Sequence, residues 1–159
     1  VAYAVLLDGA PTCPGAVEAI RRAFRPRPIK PGFWLSVARH ATASIDDSDG
    51  LALSLHYLAE ASGVGLELDS LPLSPELVEC AEAWGADPVE LALYRGGEEY
   101  SFIFTVPEGR VGDVVREAEA HGVPVQRIGR VVEGSGVRLR GYGEVEKKGW
   151  SFGRWGRAG

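Results

Sequence analysis

Methionine is absent from the 159 residues, histidine occurs three times and cysteine twice. Cys13 and Cys80 stand at no metal-ligand spacing and are too few for a disulfide scaffold, so a reducing, cytoplasmic setting is the expectation. His40, His56 and His121 are isolated. None pairs with a nucleophile, which leaves a hydrolase triad without support, and His56 reads as a helix-surface residue. Long apolar runs are missing too: nothing approaches the ~20 residues of a membrane span, and no signal-peptide pattern opens the chain. No membrane partner is expected. Basic residues are the minority charge, with 17 Lys and Arg against 22 Asp and Glu and a net charge of -5. With no basic stripe to offset that balance, the charge argues against a nucleic-acid platform, and no nucleic-acid partner is expected. An acidic site holds a polyphosphate only where cations bridge the like charges. The missing methionine, with Val1 inside an apolar run, suggests a fragment or a misassigned start.

What is present fits one domain with a sizeable core, since 45% of residues are hydrophobic and 25% charged. Residues 1–7, VAYAVLL, read as a strand running into the turn DGAP. Val17, Ile20 and Phe24 share a helical spacing over 14–24. Pro26, Pro28 and Pro31 make the next stretch an extended connector. FWLSVARHA reads as a short helix and TASID as a buried strand. Leu51, Leu55, Leu58 and Ala59 predict a helix stopped by Gly63. GLELDSLPL follows as strand and turn. Ser74-Pro75 and Asp87-Pro88 both start helices, ending near Gly85 and at RGG. YSFIFTV is a strand with one aromatic face, and GDVVREAEAHG a helix with Val114, Val115 and Ala118 inward. VPVQRIGRVV is a strand, joined to VRLRGY by a hairpin around Glu133–Gly136. The glycine-rich tail 151–159 reads as irregular. The class is α+β: a mixed β-sheet with helices packed on it, partly ferredoxin-like.

SIDDSDGL, residues 44–51, crowds three aspartates ahead of a glycine. Ser48 or Asp49 at a helix start satisfies free amides and favours the helix dipole. One cap suffices, however, and three carboxylates repel one another, a surplus that a divalent cation removes. A calcium loop fails on register: with Gly50 at its obligatory glycine, Ile45 falls on the first aspartate and His56 on the bidentate glutamate. Mg2+ asks only one or two carboxylates, and a strand end leading into a helix offers amides to an anion. In RGGEEYSF, Gly96 and Gly97 permit a turn that a side chain would obstruct, and a glutamate there either accepts a ligand amine or faces solvent. Trp150 either stacks on a heterocycle or pins the tail.

Taken together, TASIDDSDGLALSLHYLAEASGVGLELDSLPL, GGEEYSFIFTVP, IGRV and the late GW resemble the C-terminal half of the thiamine-monophosphate kinase family. That family belongs to the aminoimidazole ribonucleotide synthase superfamily, and the resemblance runs from Pro26 to Trp150. It implies the C-terminal domain fold of that superfamily and Mg2+-dependent phosphoryl transfer from ATP to thiamine monophosphate. By the same resemblance, Asp46 and Asp49 bind Mg2+ and Ser48 contacts ATP. Glu98 and Trp150 contact thiamine monophosphate, and Gly50, Gly96 and Gly97 shape the loops. No single catalytic residue is assigned. The full-length protein would be a homodimer. Residues 1–159 would form one C-terminal-type domain, with 1–25 as an entry strand and helix, 26–150 as the core of the match and 151–159 as a tail. The family's N-terminal ATP/Mg2+ domain would be absent.

The chain departs from the family pattern in three places. Asp47 replaces a usually apolar residue, Glu99 and Ser101 stand where the family has Asp and Glu, and the tail reads GWSFG. Within the superfamily, the synthase itself would bring a histidine and a triple glycine to the first site, and the hydrogenase-maturation relative a terminal reactive cysteine. This sequence has neither. A stand-alone domain that binds a ligand or partner without catalysis is the alternative from a different class.

Overall fold

The computed structural model describes residues 1–25, 30–97 and 99–149. The proline-rich stretch 26–29, Glu98, Trp150 and the tail 151–159 lie outside them. The helix over 51–62 and the strands around it carry most of the larger core. Strand β1, Ala43–Asp47, leads through Gly50 into α4, Leu51–Ser62. Leu51, Leu55, Leu58 and Ala59 of α4 are buried, as their spacing predicts, and the left-handed Gly63 ends the helix. Ser74 caps α5, Pro75–Trp84, by accepting a bond from the Leu77 amide at 3.2 Å. Asp87 caps α6, Pro88–Tyr94, through the Val89 amide at 2.8 Å.

Strand β2, Gly65–Leu68, is central in a four-stranded sheet with β4 (Gly129–Val132), β5 (Val137–Leu139) and β6 (Gly143–Glu144), in the order β4-β2-β5-β6. Its pairing with β4 is antiparallel and with β5 parallel. The hairpin expected at Glu133–Gly136 is therefore not formed, because β2 lies between the two strands that the turn connects. The turn instead crosses the start of β2, where the Leu66 amide donates to the Gly136 carbonyl at 2.9 Å. Glycine is required at 129, since a Cβ there would stand 2.1 Å from the Glu67 carbonyl oxygen. Residues 123–128 form no strand, which shortens the expected VPVQRIGRVV element.

Strand β3, Ser101–Thr105, pairs antiparallel with β1 in a separate two-stranded sheet. Strand alternation gives this ribbon two apolar faces. Ala43, Ile45 and Ile103 pack on the core formed by α4 and the larger sheet. Phe104 joins the second core between α3 (Pro31–Val37) and α7 (Val111–His121). In α7, Val114 and Ala118 are buried, but Val115 is exposed rather than inward.

Residues 1–25 differ most from expectation. Ala2–Leu6 is a helix, α1, and not a strand: a short apolar run carries no periodicity that separates the two. Helix α2, Ala16–Phe24, buries Ala16 and leaves Val17 and Phe24 exposed, so its apolar stripe does not face the core. Cys13 and Cys80 are joined in a disulfide, contrary to the expectation of unpaired thiols. They sit 67 residues apart, and that separation hides the pairing from any local reading.

Candidate functional site

The segment 46–50 is built by the end of β1 and the start of α4. Strand alternation splits its aspartates. Asp46 is exposed beside Phe102 of β3, whereas Asp47 turns inward with only 8% of its surface exposed. Ser48 is half-buried and Asp49 exposed. Neither caps α4, contrary to the sequence expectation. The N-cap is Gly50, with φ 96° and ψ 148° and no side-chain cap bond. That backbone region is essentially closed to residues with a Cβ. Gly50→Ala is expected to cost about 1–2 kcal/mol, a fall in Tm of about 2–4 °C per kcal/mol for a chain of this size. An unchanged melting curve would show that the loop adopts another shape.

Two further stretches reach this segment. The Tyr100 amide donates to the Asp47 carbonyl at 3.1 Å, and Ser101 pairs with Asp47 in register. This brings Tyr100 and Ser101, just beyond Gly96 and Gly97 in the chain, against the strand end. Tyr100 holds φ 49°, a strained value for an aromatic residue. Glycine is less demanded at 96 than the sequence suggests, because a Cβ there would meet only the Ala92 carbonyl, at 3.4 Å. From the other side, a Cβ on Gly149 would lie 3.1 Å from the Asp49 carbonyl.

The segment leading to Gly149 is tied down by contacts that sequence reasoning missed. His56 Nε2 donates to the Val145 carbonyl at 2.8 Å, so His56 is a tether and not a free surface residue. The Glu146 amide donates to Tyr94 Oη at 3.0 Å, and Lys147 pairs with Glu60 at 2.7 Å. Glu98 and Trp150, expected to touch substrate, lie outside the described residues. Thus Asp46, Ser48, Asp49 and Gly50 lie on one segment, 46–50, which Tyr100 and Ser101 meet at Asp47 and Gly149 approaches at Asp49.

The charge in this region is uneven. Burial pushes the Asp47 carboxyl up to about 6, with the nearby Glu99 and Asp46 charges adding to the effect. Its Oδ1 has no hydrogen-bond partner among the described residues. Period-two reading of β1 would have found it, since Asp47 shares a face with Ala43 and Ile45. Asp46 and Asp49 are both exposed carboxylates, hard-oxygen donors of the kind Mg2+ takes one or two of, and among the described residues no group of three or more His, Cys, Asp or Glu is placed to hold a metal. Asp47 faces away from that side of the strand.

The comparisons with known proteins bear on the same segments. A thiamine-monophosphate kinase from Aquifex aeolicus is 39% identical over 139 residues, covering 86% of this chain and 42% of that protein. The thiamine-monophosphate kinase of Halobacterium salinarum is 45% identical over 107 residues, covering 64% of the chain and 34% of its relative. The solved structure of AaThiL complexed with AMPPCP and TMP superposes with a TM-score of 0.70 at 36% identity, over 92% of this chain and 44% of that one. The chain spans about two fifths of the length of the Aquifex relative. Residues 19–141 match the family model for the C-terminal domain of AIR synthase related proteins, and the chain belongs to that family.

Proposed function

We propose that this chain is the part of a thiamine-monophosphate kinase that supplies Mg2+, ATP and substrate contacts to phosphoryl transfer. The observation that carries the reading is the similarity, across 92% of the chain, to a structure that holds AMPPCP and TMP together. The chemistry of the residues agrees with it. Phosphoryl transfer needs positioning and charge neutralisation more than covalent help from the protein. Asp46 and Asp49 would hold the metal. Bound there, Mg2+ would neutralise charge on the transferring phosphoryl group. The Ser48 hydroxyl donates to a phosphate oxygen, and Gly50 keeps side-chain bulk away from it. The Glu98 carboxylate accepts from an amine of thiamine monophosphate, and Trp150 stacks on its ring.

A homodimer of the full-length protein and a cytoplasmic setting, where ATP is held, belong to the same reading. Among the described residues no helix is long and apolar enough to cross a membrane. The Cys13–Cys80 bond is the feature least suited to a reducing compartment.

The test is conversion of thiamine monophosphate to thiamine diphosphate by the natural protein containing this chain, with ATP and Mg2+, read by chromatography. Absence of product at saturating substrates would overturn the reading. The 159 residues alone are expected to give no turnover. Robust conversion by them would mean that the remaining three fifths of the relatives' length is not needed for chemistry.

A further inference from the structure

Residues 1–25 contribute nothing to the two larger cores. They are held by a third, small cluster in which Cys13, Ala16 and Cys80 are buried under Val1, Val5 and Trp84. Polar contacts stand around it as well. Trp84 Nε1 donates to the Pro11 carbonyl at 2.8 Å, and Arg22 pairs with Glu76 at 2.6 Å. The Arg22 side chain is about half exposed, so that ion pair is worth little by itself. The backbones meet closely at one point, where a Cβ on Gly15 would lie 2.7 Å from the Glu76 Cα. The apolar stripe of α2 faces away from this contact. So little burial leaves the covalent bond as the dominant restraint on the lobe.

We infer that Cys13–Cys80 is a redox-sensitive strap that locks residues 1–25 onto α5 and leaves the main core independent of it. A dithiol reductant opens it. One thiolate attacks a cystine sulfur, the second displaces the mixed disulfide, and two electrons and two protons pass from the dithiol to Cys13 and Cys80. A disulfide oxidant such as oxidised glutathione reverses the step. Cys80 has no exposed surface and Cys13 only 5%, so attack waits for local opening of the lobe. The strap is consequently slow to release. What it controls lies at the edge of the candidate site. Helix α5 packs on α6, and α6 runs into Gly96 and Gly97. Reduction frees the lobe from the helix pair that carries this turn.

Hydrogen exchange of the oxidised chain and of the same chain in dithiothreitol tests this, with exchange followed by peptide. The result expected on reduction is at least tenfold faster exchange in residues 1–25. Peptides from α4 and β2 stay within twofold, and the oxidised pattern returns with oxidised glutathione. Cys80→Ser reproduces the reduced pattern without reductant, and if that variant does not fold, the reduced wild-type chain decides alone. Trp84→Phe, which removes the bond to Pro11, speeds thiol release severalfold. Equal exchange of residues 1–25 in both redox states overturns the strap. So does uniform acceleration across α4 and β2, which would make the bond a global staple. Two freely titrating thiols in the presence of oxidised glutathione would also overturn it.

Discussion

Asp49→Ala in the natural protein that contains this chain lowers kcat/KM for thiamine monophosphate phosphorylation by about 10²–10³-fold. Removing one preorganised group from developing charge typically has an effect of that size. Asp49 is exposed and makes no cap bond to α4, so folding stability should change by no more than ~0.5 kcal/mol. The loss is therefore chemical and should depend on magnesium. Across a Mg2+ titration the variant is expected to need more metal to reach its lower plateau, because one of the two proposed carboxylate ligands is gone. Turnover that stays at the wild-type level throughout the titration would remove Asp49 from the metal site.

Asp46 supplies the internal control. It sits one strand position before Asp47, opposite Phe102, and is the second carboxylate of the proposed metal site. Asp46→Ala should give a loss of the same order, and the double variant much less than the product of the two. Two ligands of one ion act as a unit, and their effects are not additive.

What could be read from the sequence was what local chemistry decides. Ser74, Asp87, Gly63 and Gly85 set helix ends through bonds or left-handed turns within a few residues, and those ends stand where the spacing puts them. The aspartate motif placed itself between a strand and a helix for the same reason. Long-range choices were not legible. The EGSG turn looks like a hairpin because its own residues favour one, yet β2, from far upstream in the chain, enters between β4 and β5, with Gly65 opposite Val132 and Leu66 opposite Val137. The residue run VAYAVLL is too short to carry a period, and the lobe's disulfide determines its packing. At the site the misreading was subtler. Ser48 and Asp49 have the right chemistry for a cap, but Gly50 at φ 96° turns the backbone so that the helix starts without a side-chain cap bond. Burial of Asp47 was open to inspection through strand alternation, whereas its proximity to Glu99 needed the β1–β3 register.

That buried carboxyl leads to the second large expected effect: Asp47→Val stabilises the metal-free chain near neutral pH, and the gain disappears in acid. The folded state raises this carboxyl from its ordinary 3.8 to about 6, chiefly by burial and then through Glu99 and Asp46. A raised value means that the folded chain holds the proton more tightly than the unfolded one. Between pH 4 and 6 stability from this group falls as pH rises, and above pH 6 the whole penalty is present. Two pH units correspond to about 3 kcal/mol. Valine also returns an apolar residue to the face shared by Ala43 and Ile45 and removes an Oδ1 with no partner among the described residues. At pH 7.5 in EDTA, Tm should rise by about 5 °C or more, at ~2–4 °C per kcal/mol for this size. At pH 4 most of the difference should be gone, since Asp47 is then protonated in the folded state. Asp47→Asn, nearly isosteric, separates charge from packing: it should abolish the pH dependence while recovering only part of the gain. A Tm difference for Asp47→Val that is equal at pH 4 and pH 7.5 would show that Asp47 carries no folded-state penalty. Its extra charge would then have to be neutralised by a neighbour, and the acidic surplus at this strand end would belong entirely to Asp46 and Asp49.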